Sequence, residues 1–583
     1  MKKTFNLIYI SVLSVSLMLL SSCEDFLTKE PLGVMGETAM HTNVGVEGLL
    51  ISAYAGMRGY YWEDHMVTDM HMGSLPSDDT YKGSTYGDGE ALNLIERWEV
   101  ESSNGITNDR FSKSYFGVAR ANSVLESLWK NQQSEDAIPK PRATEIEAEA
   151  KFLRAWFHFK AAKNFRYIPY VLTETESGIP PNEVTNDTEG WDEIEADLKF
   201  AIENLPESKP KGEVGRIDRY GAKVVKAHVH LFQNEHSQAK ALLDDIINSG
   251  KYKLVDNYYD NYNMATENNE ESIWEFQAST SATNYVSNPF GGPSTPQKGP
   301  AGVGWGFTQP SQSLFEAFQT NSEGLPILNI EDREPLAHDM GLSSADEFYP
   351  TDHLLDPRVD WTIARRGVDY LGWGIFPGDS WIRDQSNGGP YMTKKLSTLY
   401  ENRDLNLYGN GHHNGKNWRY YRFSHVLLWR AEVAVEENDL DYARQLVNQI
   451  RKRAKESPVV MGKVTTYSFG SATEPEVDWD QPAANYKIEL YPEGANAFSS
   501  IEEARKAVRV EIRLEFATEA HRFYDLRRWG IDGEVLNAYQ QRDIQFRPFL
   551  NGAQYNPERD AYWPLPLVQL DLLPALKQDP AYN

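Results

Sequence analysis

The sequence predicts a mostly α-helical chain of paired helices stacked into a single superhelical domain, broken by one large loop-rich insert. Three observations carry that expectation. The chain repeats itself at a shift of 204 residues, which maps Ala227 to Ala431, Leu231 to Val435, Asn234 to Asn438 and Glu235 to Asp439. The same shift maps Ala239 to Ala443, Leu242 to Leu446 and Ile246 to Ile450. Within 143–165, Ala150, Leu153, Phe157 and Ala161 keep helical spacing, and Pro169 lies just past the end. Between about 251 and 419 such runs give way to Pro, Gly, Asn, Tyr and Trp in irregular order.

The elements follow in order. Lys2 and Lys3 precede an apolar stretch from Leu7 to Leu20 that is too short and wrongly flanked to span a bilayer, so 1–22 read as a signal peptide. Residues 44–58 have helical spacing, 69–90 read as loop, and 109–131 and 191–205 read as helices, the latter stopped by Pro206. The repeat then supplies two helix pairs with small residues at the close approach, a polar turn and an apolar second helix. That is the logic of a tetratricopeptide pair, which buries its face only by stacking. Because the copies lie far apart, the insert must separate parts of one helical layer. After a second irregular stretch at 458–499 comes 504–530, ARKAVRVEIRLEFATEAHRFYDLRRWG. Its residues alternate between apolar and charged, as in a half-buried strand, yet it is far too long for one and ends at Gly530, where a helix C-cap belongs. Read as a helix it carries charges all round, so some Arg and Glu must be buried as hydrogen-bonded pairs.

Several segments resemble the SusD/RagB family: Arg513-Leu514-Glu515-Phe516-Ala517 with Glu519 to Gly530, Glu149 to Ala155, Asp356-Pro357-Arg358, Gly389 to Lys395, and the ending from Tyr562 to Tyr582. The resemblance implies that 504–530 is a helix in an α-helical core. It implies a domain over 23–583, with a tetratricopeptide-like core at about 40–250 and 420–583 and a ligand-side insert at about 251–419. Leu20-Ser21-Ser22-Cys23 looks like a bacterial lipobox. Cys23 is the single cysteine, so it has no internal disulfide partner, and a diacylglyceryl anchor to the outer membrane gives that thiol a use. Glu24-Asp25 resembles the surface-export signal of Bacteroidetes lipoproteins. By resemblance the protein would capture oligosaccharides or polysaccharides at the cell surface and pass them to a SusC-like TonB-dependent transporter, over which it would sit as a lid.

Charge and motifs narrow the function further. The net charge is −27, and without the first 22 residues it is −29, which argues against nucleic acid. No catalytic motif is complete: Gly83 to Gly87 has Thr where a nucleophile elbow needs Ser, and His228 and His230 point to different sides of a helix. No enzyme activity, metal or cofactor is assigned. Calcium, which family members sometimes hold, finds no carboxylate loop of the required spacing. Two clusters pair aromatic rings, which cover the C–H face of a sugar, with side chains that bond its hydroxyls. One is Asp78, Asp79, Tyr81, Tyr86 and Trp98; the other is Tyr285, Asn288, Trp305, Trp373, Trp381, Arg383 and Asp384. Three alternatives stay open: capture of peptides, where an acidic groove would suit basic ones; a surface glycoside hydrolase, whose paired carboxylates leave no fixed spacing in a sequence; and a pure tetratricopeptide scaffold that binds only protein helices.

Overall fold

The computed structural model describes residues 37–58, 65–279, 294–300, 304–405, 415–465 and 475–583. The signal segment, Cys23, Tyr285 and Asn288 lie outside the described residues. The N-terminal half contributes helices α1 (Asn43–Ala55), α2 (His65–Gly73), α3 (Gly105–Asn131), α4 (Lys140–Ala162) and α5 (Trp191–Asn204). The stretch 69–90, expected to be loop, holds the end of α2 and a strand, β1 (Thr80–Gly83). Both are buried, and burial of a strand on both faces removes the alternation that would have announced it.

The repeat folds as two helix pairs, α6 (Arg219–Phe232) with α7 (His236–Asn248), and α8 (Phe423–Glu436) with α9 (Leu440–Glu456). Each pair turns on an asparagine in the left-handed region, Asn234 at φ 58° and Asn438 at φ 61°. The amide three residues past the helix then reaches back five residues, Glu235 to the His230 carbonyl at 2.9 Å and Asp439 to the Ala434 carbonyl at 2.8 Å. This is a Schellman closure built twice. Asn tolerates the left-handed region better than most side chains, which explains why both turns carry it. Ala227, Ala239, Ala431 and Ala443 are all fully buried at the approaches between helices. The helices pack in sequence, α3 on α4, α4 on α5, α5 on α6 and α6 on α7, and then α7 directly on α8. The insert therefore loops out and returns without breaking the layer.

The insert adds short strands in pairs: β2 (Ser272–Phe276) with β6 (Trp418–Arg422), β1 with β3 (Phe307–Pro310), and β4 (Ile363–Ala364) with β5 (Met392–Thr393), all antiparallel. The second irregular stretch carries one more pair, β7 (Met461–Val464) and β8 (Val477–Pro482).

The segment at 504–530 is helical but is not one helix. α10 (Ile501–Phe516) ends at Phe516, and α11 (Arg522–Arg528) begins after a break in which Thr518 and Ala520 take φ of 63° and 67°. A further helix, α12 (Asp532–Asp543), follows Gly530. The charges that looked unplaceable are buried as pairs. Arg358 binds Asp356 at 2.8 Å, Glu511 at 2.7 Å and Glu515 at 3.1 Å. Arg451 binds Glu511 at 3.0 Å, and Arg453 joins Glu515 at 2.5 Å to Glu271 at 3.1 Å. Arg422 and Lys395 close the network on Glu519. Five cations thus meet five carboxylates drawn from α9, α10, the α10–α11 break and the insert, which is the condition under which charge survives burial.

Candidate functional site

The pairing of β1 with β3 decides which loops meet. Its register sets Tyr81 opposite Gln309 and Gly83 opposite Phe307, so the turn after β1 lies beside the segment before β3. The Ser84 amide donates to the Gly306 carbonyl at 2.6 Å. A Cβ on Gly83 would stand 2.1 Å from that same oxygen, so the close approach requires glycine at φ 77°. The buried Lys82 reaches into the turn and donates to the carbonyls of Thr85 at 2.7 Å and Tyr86 at 3.0 Å, and Asn93 donates to Tyr86 as well. Burial lowers the Lys82 ammonium to about 8, only partly opposed by Glu96.

This anchored turn presents Tyr86, 58% exposed, with its ring edge 5.6 Å from Phe549. Across from it Arg383 lies over the half-buried Trp305 ring at 5.2 Å. Arg383 also donates to Ser84 Oγ at 2.7 Å and pairs with Asp88. Ser84 Oγ donates to Asp88 at 2.9 Å. The two predicted clusters therefore meet here, through the turn that carries Tyr86 from one and through Arg383 with Trp305 from the other. A flat ring beside a guanidinium and carboxylates can cover an apolar ligand face while bonding hydroxyl groups around it. Sequence reasoning missed Ser84 and Asp88. Their one signal was the Gly-rich turn from Gly83 to Gly89, which marked a loop without saying what it would face.

The remaining predicted residues divide. Trp381 and Trp373 are half-buried and pack in the insert: Trp381 stands edge-on to Phe376 at 5.6 Å, and the Trp373 indole donates to Thr398 at 2.9 Å. Asp78, Asp79, Tyr81 and Trp98 are each at most 2% exposed and offer no face to a ligand. Their polar groups are spent inside the protein, because each replaces a lost water contact with a protein partner. Arg513 binds Asp79 at 2.9 Å and Asp78 at 3.0 Å, and Arg522 binds Asp78 at 2.7 Å. Burial would raise the Asp78 carboxyl, but Arg513 and Arg522 outweigh it and hold it below the usual range. For Asp79 burial wins, and its carboxyl is raised. Tyr81 donates to Asp543 at 2.6 Å, and the Trp98 indole donates to Pro76 at 2.9 Å. Burial lifts the Asp543 carboxyl to about 7.

His228 and His230 do face different ways, His228 to the Tyr421 hydroxyl at 3.0 Å and His230 to Glu235 at 2.6 Å. Among the described residues, Glu195, His230 and Glu235 are the group whose ligand atoms come close enough together to hold a cation. The His230 ring and Glu195 are already engaged, Glu195 accepting from Gln233 at 2.8 Å.

Comparison with known proteins matches the chain to two family models. Residues 270–582 match a model described as the SusD family, and residues 25–231 match one described as starch-binding, associating with the outer membrane. A SusD-like protein of Formosa agariphila is 23% identical, with 96% of each chain covered. A SusD-like carbohydrate-binding protein of Bacteroides fragilis has a similar structure, with a TM-score of 0.68 at 20% identity over 93% of this chain and 100% of that one. Surface glycan-binding protein A of Bacteroides thetaiotaomicron, solved in complex with laminarihexaose, gives 0.65 at 20% identity over 92% of this chain and 99% of the other.

Proposed function

The chain belongs to the SusD family, and from that membership we propose that it is a cell-surface lipoprotein that captures oligosaccharides and delivers them to a SusC-like TonB-dependent transporter as its lid. The work is binding and gating, with no bond broken. One observation carries the sugar reading: the turn held by Lys82 presents the exposed Tyr86 ring, and Arg383, paired with Asp88 on that same turn, lies over the part-exposed Trp305 ring. That is a small aromatic platform with hydrogen-bonding groups at its rim, the chemistry a pyranose needs. Structural neighbours described as laminarin-binding or solved with laminarihexaose support a glucan as the first ligand to try. Attachment through lipid on Cys23 would keep the captured sugar beside the transporter and raise its effective concentration there.

Isothermal titration of the mature protein with a glycan panel tests this. A neutral oligosaccharide should bind, and Trp305→Ala should weaken it about tenfold, the value of one lost ring contact of roughly 1.4 kcal/mol. Binding of basic peptides with no response to any glycan would favour the peptide-capture alternative and end the sugar reading. Detergent pull-down of the native membrane complex checks the transporter, which should come down as a large barrel protein.

A further inference from the structure

A cleft of about 780 Å³ opens where α8, α10, α11 and α12 meet the segment 328–333. It shares no lining residue with the loop site around Tyr86 and Trp305. Its size is that of a small-molecule site. Val435, Val508, Ile531 and Val535 supply apolar wall, and Trp529 lies along it. The charges are unusual for so acidic a chain: seven Arg and Lys side chains line the cleft against six carboxylates. Asp78 is held by Arg513 and Arg522, Glu432 by Arg528, and Glu436 by Arg505, while Glu331 and Glu534 sit exposed at the rim.

Two guanidinium groups lining the cleft make no ion pair among the described residues. Arg509 lies over the Trp529 ring at 5.2 Å and, among the described residues, makes no ion pair and no hydrogen bond. Arg333 is 8% exposed, and of its five N–H donors one is used, to the Ile327 carbonyl at 3.2 Å. The charged groups that act on it most strongly are Arg513, Asp78, Arg522 and Arg542, three cations against one carboxylate that is already shared. Burial, with Arg513 next, pushes the Arg333 guanidinium down to about 9. Burial likewise lowers Arg509, where Glu432 and Glu436 are outweighed by burial together with Arg528 and Arg505. Planar guanidinium donors in a concave, partly apolar site match the two oxygens of a carboxylate or sulfate.

We propose that this cleft is a second binding site, one that takes an oxyanion-bearing ligand through Arg333 and Arg509. The occupant is an acidic oligosaccharide carrying a uronate carboxylate or a sulfate ester, an identity that rests on the glycan-capture reading above. The apolar wall takes the ring face of the sugar and the two arginines take its anion. An acidic chain repels anions at long range, so selectivity here comes from the paired donors at contact distance.

Isothermal titration of the mature protein compares a hexuronate oligosaccharide, a sulfated one, a neutral one of equal length and inorganic sulfate alone. At least one acidic oligosaccharide should bind, more weakly as salt rises. Arg509→Gln, at a part-exposed position, should lower that affinity tenfold or more while leaving the neutral ligand and its Trp305 dependence unchanged. Arg333→Gln should act the same way, with thermal unfolding used to verify that the variant is folded. Which acidic ligand responds separates carboxylate from sulfate. Acidic sugars binding no better than neutral ones, or with an affinity unaltered by Arg509→Gln, would overturn the proposal while leaving glycan capture intact. A response to inorganic sulfate alone would overturn the sugar as occupant. No response to any sugar at all would remove the reading on which the occupant rests.

Discussion

Glu515 sits in the last turn of α10, one residue before its end, with no solvent exposure, and three arginines converge on it: Arg453, Arg422 and Arg358. Burial alone would raise its carboxyl, but those arginines and Lys395 outweigh burial and hold it at about 2. A carboxylate depressed in the folded state stabilises the fold above its unfolded value of 4.5, and that contribution drains away as pH falls from there towards 2. Glu519, also held at about 2 by Arg422 and Lys395 against burial, acts in the same window. The contribution of these two carboxylates to the midpoint of thermal unfolding should therefore be steady above pH 5 and fall steeply below it, so that Glu515→Gln flattens the acid limb of the pH profile. Glu515→Ala should cost about 3–5 kcal/mol in urea unfolding, because it strands buried cations rather than merely deleting a contact. A loss below about 1 kcal/mol would mean that the arginines find other partners and that Glu515 does not hold the network. The sequence displayed the charges plainly, and burial with pairing followed once the segment was read as helix. Which arginine meets which glutamate was hidden, because Arg358 and Arg422 come from distant stretches of the insert and its border.

The helical elements were legible because their signals are local. Spacing marked α4, Pro206 marked the end of α5, and the pair of asparagines marked both repeat turns. The break between α10 and α11 had no such mark. It is imposed by α2, whose last residue, Gly73, packs so closely that a Cβ there would lie 2.1 Å from the Ala520 carbonyl. The Ala520 amide in turn donates to Ser74 Oγ at 3.2 Å. The left-handed backbone at Ala520, costing roughly 1–2 kcal/mol for a non-glycine residue, is held by this contact. Gly73→Ala should then destabilise by about 1–3 kcal/mol, the usual cost of overpacking against something that cannot yield. An unchanged unfolding midpoint would show that α2 can draw back, and the break would need another cause. The same distinction between local and distant signals explains the site. Tyr86 and Trp305 were found by composition, but their convergence depends on the register of β1 against β3, strands drawn from opposite sides of the repeat. Asp78 and Asp79 were taken for ligand contacts because their partners, Arg513 and Arg522, lie more than four hundred residues downstream.

At the scale of the molecule, the main apolar core of the described residues runs from Val46 to Leu576 and holds every long helix, while the N-terminal segment lies outside the described residues. What we propose that segment contributes is location. The proposed lipid on Cys23 would tether a strongly acidic body, of net charge −27, to an outer membrane whose anionic surface repels it at long range. Anchoring and ligand capture are then separable. Cys23→Ala, expressed in the native host, should move the protein out of the membrane fraction and remove the diacylglyceryl mass from its N-terminal peptide. The purified variant should keep its glycan affinity unchanged, because the substitution removes the proposed lipid and leaves Trp305 and Arg509 as they are. Growth on the captured glycan at low concentration should nevertheless fall, since delivery depends on the effective concentration the tether creates at the transporter mouth. A Cys23→Ala protein that stays with the membrane fraction would place the anchor in the transporter contact itself, and the lid would be held by its partner rather than by lipid.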